Sequence, residues 1–281
     1  MYKQAVKRSF ARAASTYSRC SFVQREVGRM LISSVHELLT DGGVQWLLEL
    51  GCGHGGTTAL LLEGLTPSTV VLSDLSHEML REARRHLLER YAVPGTSFSF
   101  INADMEQISR IFPKGMFDLV FSNSALHWAL DFHGTVKGAA SLLRPGGLLA
   151  CTVFTRGTLV ELSNILQETI GIPAMANGFL SSEEINTALL ASFEPARHST
   201  LSLIRVYGDV WSLLKGLKRA GVTPDTRGAS RVHRLFRRDI ARLDGLFQAR
   251  YSGVVVRYEV VLFVGVRKEH GTRCPRRHHR L

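Results

Sequence analysis

The sequence predicts an α/β fold: a seven-stranded, mostly parallel sheet with an antiparallel last strand and a helical insertion over one end. Three observations carry that prediction. Between residues 45 and 154, short apolar runs alternate with segments of helical period, the pattern of parallel strands joined by helices on both faces. The first run ends in a glycine-rich turn, LLELGCGHGG (47–56), at the carboxyl end of a strand, where open sheets of this kind bind ligands. A final apolar run, VVVRYEVVLFVGVR (254–267), follows two helical segments, so the chain leaves the sheet and returns to it.

In chain order, helices are predicted over 5–14 and 21–39; in the second, Val23, Val27, Met30, Leu31, Val35, Leu38 and Leu39 recur near helical spacing. Strand 1 covers 45–50 and a helix covers 56–64. Strand 2 covers 69–73, and Ser76 caps the helix that carries Met79, Ala83, Leu87 and Leu88. Strands over 97–101, 117–122 and 148–154 alternate with helices over 105–111 and 132–143, the latter stopped by Pro145 and a Gly146-Gly147 turn. Ser181 and Glu184 form a capping box for a helix over 182–191, and HSTLSLIRVY (198–207) is strand 6. Helices over 209–220 and 229–249 form the insertion. The last run is expected antiparallel between strands 5 and 6.

Gly51, Gly53 and Gly56 satisfy GxGxxG, and Asp74 follows about 20 residues later at the end of strand 2, an arrangement that suits an adenosine-containing cofactor. A dinucleotide would set its pyrophosphate against this turn, where Glu49 puts like charge beside it. S-adenosylmethionine carries no phosphate, and its ammonium and sulfonium are cations. Glu49 therefore favours a methyl-transfer cofactor over a nicotinamide one, with Asp74 on the ribose hydroxyls.

At 281 residues and 45% hydrophobic residues the chain can bury a full core. No apolar run is long enough to cross a bilayer, and MYKQAVKRSFARAAS has no continuous apolar stretch like a signal peptide; a cytoplasmic location is expected, with a basic transit segment as the alternative. Cys20, Cys52, Cys151 and Cys274 show no CxxC spacing and read as reduced thiols. His233, His270, His278 and His279 with Cys274 do not have zinc-site spacing, so no metal is expected. The net charge of +11 is uneven: the last fifteen residues hold six arginines and lysines against one acid, and RGASRVHRLFRRDIAR (227–242) is a second basic stretch. Such faces are either solvated or steer an acidic partner. No aromatic-interleaved RNA-binding motif accompanies them, and no nucleic acid or membrane partner is expected.

The remaining motifs narrow the reading. TSFSFINAD ends in Asp104 beside Met105, FDLVFSNSALHW runs from strand 4 into Asn123, His127 and Trp128, and LLRPGGLLACTVF closes the parallel set. In that order these resemble the Rossmann-like class I S-adenosylmethionine-dependent methyltransferases. The opening VKRSFARAASTYSRCSFVQREVGRML, with Phe10, Ala13, Tyr17 and Gln24, the segments NSALHW and TVFTRGTLVEL, and YGDVWSLLKGLKRAGVT together resemble the malonyl-[acyl-carrier protein] O-methyltransferases of biotin synthesis over nearly the whole chain except the tail. One departure stands between Phe154 and Gly157, where the family usually has Gly-Pro and this chain has Thr155-Arg156.

The resemblance implies methyl transfer from S-adenosylmethionine to the free carboxylate of a malonyl thioester on acyl carrier protein or coenzyme A; the oligomeric state is left open, with a monomer favoured. It implies Glu49, Gly51 and Gly53 on the methionine moiety, Asp74 on the ribose with Leu75 against adenine, and Asp104 with Met105 at the adenine edge. Cys52 belongs to the same turn, its thiol packed. Tyr17 either closes over the sulfonium or packs as an amphipathic core residue, with Gln24 and Asn123 as further contacts. His127 either positions the acceptor or is structural; Trp128 is a pocket wall; Arg156 or an arginine of the insertion is the cation for the acceptor carboxylate. No general base is required, because a carboxylate is already ionised at neutral pH. Four parts follow: helices 1–40 closing the cofactor site, a core of 41–207 and 251–267, an insertion 208–250 as acceptor lid, and a basic tail 268–281. Three rivals remain: another small carboxylate or amine acceptor, a nucleic-acid methyltransferase, against which NSAL stands where such enzymes carry NPPY, and a non-catalytic cofactor-binding protein.

Overall fold

The computed structural model describes residues 2–39, 43–91, 95–171, 178–222 and 237–269. The sheet contains seven strands: β1 (Trp46–Leu50), β2 (Thr69–Asp74), β3 (Ser97–Asn102), β4 (Phe117–Asn123), β5 (Leu143–Phe154), β6 (Phe193–Tyr207) and β7 (Val254–Arg267). Their order is β3-β2-β1-β4-β5-β7-β6. The pairs among β3, β2, β1, β4 and β5 are parallel, and β7 runs antiparallel to both β5 and β6, as expected from the sequence. Strand order reverses about β1 and β4, which places a crevice above their carboxyl ends.

The period-2 alternation of β7 serves both faces of the sheet. Val261 and Phe263 enter one core with Phe117, Val120, Cys151 and Phe193; Leu262 and Val264 enter the other with Leu47, Leu72, Phe121 and Leu31. The first face is covered by α6 (Phe132–Leu142) and α8 (Ser182–Ser192), the second by α3 (Phe22–Leu38), α4 (Gly56–Leu61) and α5 (His77–Arg90). Fully burying a leucine or phenylalanine contributes roughly 1.5–3 kcal/mol each, so these two layers supply most of the driving force. The predicted caps are in place: Ser76 accepts from the Met79 amide, and the Ser181–Glu184 box is reciprocal.

A third core lies off the sheet. It joins Val23 and Val27 of α3, Leu159, Leu162 and Ile165, and Leu213, Leu217, Leu243 and Phe247 from α9 (Val210–Arg219) and α10 (Arg237–Tyr251) to the ends of β5 and β7. The amino-terminal helices α1 (Tyr2–Ala13) and α2 (Tyr17–Cys20) dock on α9: Ser9 Oγ donates to the Gly221 carbonyl at 2.9 Å and Thr16 Oγ1 to that of Arg219 at 3.2 Å.

Four elements differ from expectation. Residues 105–111 form only a 3-10 turn over Ile108–Arg110, since the Asp104 side chain accepts from the Glu106 amide and Pro113 disfavours helix before it. Helix α7 (Val160–Ile170) escapes the sequence reading because Leu159, not a polar cap, starts it. β6 begins at Phe193, five residues before the predicted start, with a register shift beside Pro195 at the sheet edge. The Pro145-Gly146-Gly147 turn is a bulge within β5, with Gly146 at φ 74°. The predicted helix over 229–249 is described only from Arg237, as α10; the first part of the basic stretch, the tail from residue 270 and the histidines and Cys274 of the metal reading lie outside the described residues.

Candidate active site

The glycine turn after β1 is folded against β2 by two amides, Gly51 N and Cys52 N, which donate to the Ser73 carbonyl at 2.8 and 3.0 Å. Gly51 has φ 71°, and a Cβ there would lie 2.4 Å from that of Ala125. No other residue fits that passage without moving the strand-4 loop. Gly53, at φ 55°, brings bare backbone under the ring of Tyr17.

Beneath this turn Glu49 is buried and accepts from Thr58 Oγ1 at 2.5 Å. Burial pushes its carboxyl up to about 8, the Thr58 bond opposing and the nearby Asp74 charge reinforcing the shift. Asp74 accepts the Gly53 amide on Oδ2 at 2.9 Å and the Ser76 amide on Oδ1 at 2.8 Å. Burial raises it to about 6 against those bonds. Each oxygen keeps an acceptor lone pair. Asp104 pairs with Lys3 of α1, which also reaches Glu106 at 2.8 Å. Burial works against the Lys3 ammonium, but the two hydrogen bonds outweigh it and raise its pKa. Lys3 carries no signal in the sequence; only the packing of α1 over the sheet brings it there.

Gly51, Gly53, Asp74, Leu75, Asp104 and Met105 converge on one cleft of about 660 Å³, with Tyr17, Asn123 and Trp128 on its other wall. A recess of about 330 Å³ continues from it past Glu49, Cys52 and Gln24. Burial, with Asp74 and Glu49 nearby, holds the Cys52 thiol well above its ordinary range, so this residue serves the turn through its backbone. Asn123 also works structurally: Nδ2 donates to the Gln24 carbonyl at 2.9 Å, and Oδ1 accepts from Thr152 Oγ1 at 2.7 Å, tying α3 to the sheet.

A second cleft, of about 670 Å³, meets the first at Phe10, Tyr17, Ser124 and Trp128. Phe154, Leu159, Phe179 and Leu217 make it apolar, and Ser124, Thr158, Tyr207 and Tyr258 give it hydroxyls. The Tyr207 and Tyr258 hydroxyls lie 3.0 Å apart. His127 is buried, its ring centroid 4.7 Å from that of Phe179 and 5.2 Å from that of Phe154, and Trp128 is a wall of both clefts. Tyr17 faces every part of the site, its phenol held well above its ordinary pKa by burial and then by Asp74.

Arg156 is a correction. Its guanidinium donates to the Phe179 carbonyl and pairs with Glu184, the capping-box acid, at 3.2 Å on the surface. No lysine or arginine is among the described residues that line the second cleft. Ser124 gave only the signal of a small polar residue after β4, yet it bridges both clefts in the left-handed conformation, φ 55°, where a non-glycine residue is strained. Tyr207 and Tyr258 are far apart in sequence, and only the β6–β7 pairing joins them.

The donor set fits S-adenosylmethionine. A buried acid lies under the turn where pyrophosphate would sit, Asp74 ends β2 beside that turn with its carboxylate held by two amides, and the glycine cradle is one that a Cβ would fill. Removing one charge-assisted bond to the ribose should cost about 1.5–3 kcal/mol. Asp74→Ala should therefore weaken the binding of S-adenosylmethionine by about tenfold or more in a calorimetric titration; affinity equal to the parent's would remove Asp74 from the ribose.

Fold and site define a class I S-adenosylmethionine-dependent methyltransferase. A methyltransferase-domain family model matches residues 48–151. The N-methyltransferase NodS of Bradyrhizobium japonicum, solved with S-adenosyl-L-homocysteine, shares the fold at a TM-score of 0.51 and 14% identity, over 90% of this chain and 99% of that one. The malonyl-[acyl-carrier protein] O-methyltransferase of Salmonella typhimurium is 33% identical over 79% of this chain and 80% of its own length. That of Erwinia pyrifoliae is 30% identical over 92% and 91%. The chain belongs to the malonyl-[acyl-carrier protein] O-methyltransferase family.

Proposed function

We propose that this enzyme methylates the free carboxylate of a malonyl thioester borne by acyl carrier protein, giving the methyl ester with which pimeloyl-chain formation for biotin begins. The observation that carries the reading is the second cleft: apolar, hydroxyl-lined, with no charged side chain among its described lining residues, and opening onto the cofactor cleft beneath Tyr17. Esterification removes the charge from the growing end, and an ionised terminus would be costly to bury in the apolar channels that elongate it.

Glu49, Gly51 and Gly53 would hold the methionine moiety, Asp74 and Leu75 the nucleoside, and Asp104 with Met105 the adenine edge. Bound there, S-adenosylmethionine supplies a methyl group on a cationic sulfur, an electrophile that needs only a nucleophile in line. The acceptor carboxylate needs no base to become one. The side chains of this chain therefore act by alignment and exclusion of water. Tyr17 closes the cleft junction, Phe10 and Trp128 wall it, and the buried His127 fixes the acceptor wall through its aromatic neighbours. The amino-terminal helices close the cofactor side and the insertion lids the acceptor side.

Tyr17→Phe should lower kcat by about 10- to 100-fold while changing cofactor affinity little, because the lost hydroxyl acts at the reacting centre. A variant with unchanged kcat would make Tyr17 a packing residue. The acceptor is tested with labelled S-adenosylmethionine and malonyl carrier protein, malonyl coenzyme A or free malonate in parallel. Preferential labelling of the carrier-borne thioester supports the reading; preferential labelling of free malonate overturns it. Among the described residues no helix is long and apolar enough to cross a membrane, and expression of the enzyme should rescue a biotin-requiring strain.

A further inference from the structure

The two segments that roof the second cleft, residues 2–22 and 210–222, hold eight lysines and arginines and no aspartate or glutamate. Among the described residues few of these cations are matched. Lys3 pairs with Asp104 and Glu106, and Lys7 acts on Glu78 of α5. Arg12, Arg19, Lys215, Lys218 and Arg219 are exposed and take part in no ion pair among the described residues. Packing gathers them. The Thr16 hydroxyl donates to the Arg219 carbonyl, the Arg19 amide bonds Thr16, and Ser9 bonds Gly221, so the ends of α1 and α2 abut the end of α9. Phe10, Tyr17 and Cys20 on one side and Gly216, Leu217 and Ala220 on the other line the cleft from those same elements. The helix dipole accounts for Lys218 and Arg219 in the last turn of α9. It serves Arg12 and Arg19 in the last turns of α1 and α2 in the same way, and does not account for Lys215, a turn earlier in α9.

We propose that these five cations form a docking rim for an acidic protein surface, the face of the carrier that delivers the thioester into the cleft they surround. The inference rests on the carrier-borne acceptor proposed above and assigns its recognition to charge at the rim. An acidic partner fits for two reasons. Like charges gathered on abutting helix ends without partners among the described residues are a cost in the free enzyme that an opposite surface relieves. The acceptor cleft itself is lined by aromatic, aliphatic and hydroxyl groups, so the carrier's charge is left to be read outside it. Exposed pairs are screened beyond about 8–10 Å at physiological salt, so the rim should act mainly on encounter rate.

The test compares kcat/KM for malonyl carrier protein with that for malonyl-pantetheine, which lacks the protein, across a salt series. The variants are Arg12→Glu with Arg19→Glu, and Lys215→Glu with Lys218→Glu. In each, kcat/KM for the carrier-borne substrate should fall by about tenfold or more and lose its salt dependence, while malonyl-pantetheine and S-adenosylmethionine affinity stay within about twofold of the parent. Glutamine at the same positions should give intermediate values. A parent that methylates neither substrate refutes the acceptor reading itself. A parent that methylates both, with variants that lose neither or lose both equally, refutes the rim. Competition by duplex DNA at equal charge, abolished by the same variants, would make the rim a nucleic-acid surface and overturn the proposal.

Discussion

Replacing Glu49 with glutamine should lower the affinity for S-adenosylmethionine by about 10- to 100-fold with little change in the unliganded fold. Glutamine keeps an acceptor for the Thr58 hydroxyl, which donates to Glu49 at 2.5 Å. What it cannot supply is negative charge opposite a bound cation, and a charge-assisted hydrogen bond is worth about 1.5–3 kcal/mol. The effect has a pH signature. With its carboxyl at about 8, unliganded Glu49 is largely protonated at neutral pH, and a cationic ligand favours the ionised form. Binding then releases a proton, and affinity should rise with pH up to about 8, where the rise ends. In the glutamine variant that slope should vanish. Stability runs the other way: the raised folded-state value favours the fold fully below the ordinary carboxylate range, and this contribution is lost as pH rises through about 8. Thermal melts across that window should show the parent losing stability that the glutamine variant keeps. A parent affinity independent of pH would detach Glu49 from the ligand.

Gly51→Ala should be as damaging by a different route. Left-handed backbone costs an alanine roughly 1–2 kcal/mol, and the added methyl would sit 2.4 Å from the Cβ of Ala125. Either the turn lifts away from the sheet or the loop after β4 moves, and both displace the cradle. Cofactor binding should fall by about 100-fold, and Tm by several degrees. Adding Ala125→Gly removes the clash and leaves the backbone strain, so the double variant should regain part of the stability and part of the affinity. A single variant that binds like the parent would show that the turn does not cradle the ligand.

The cofactor half of the site was legible because its chemistry lies in consecutive residues. Glu49, Gly51 and Gly53 belong to one strand-turn unit, and Asp74 and Asp104 end the next two apolar runs, so the parallel sheet alone aligns them. The acceptor half is assembled from distant pieces. Tyr207 and Tyr258 meet through an antiparallel pairing, and Leu159 starts α7 without a polar cap. Arg156 misled for the same reason: proximity in sequence to β5 said nothing of Glu184, which holds it at the surface. Asn123 was placed at the right strand end, but its amide bonds the Gln24 carbonyl and Thr152, a use that no spacing reveals.

The most direct test of base-free carboxyl methylation is a single-turnover reaction of the enzyme with methyl-labelled S-adenosylmethionine and malonyl carrier protein, followed by mild alkali. The geometry predicts that the label leaves as methanol, the mark of a methyl ester on the terminal carboxylate. Label that survives alkali on an amine or carbon of the acceptor would contradict it.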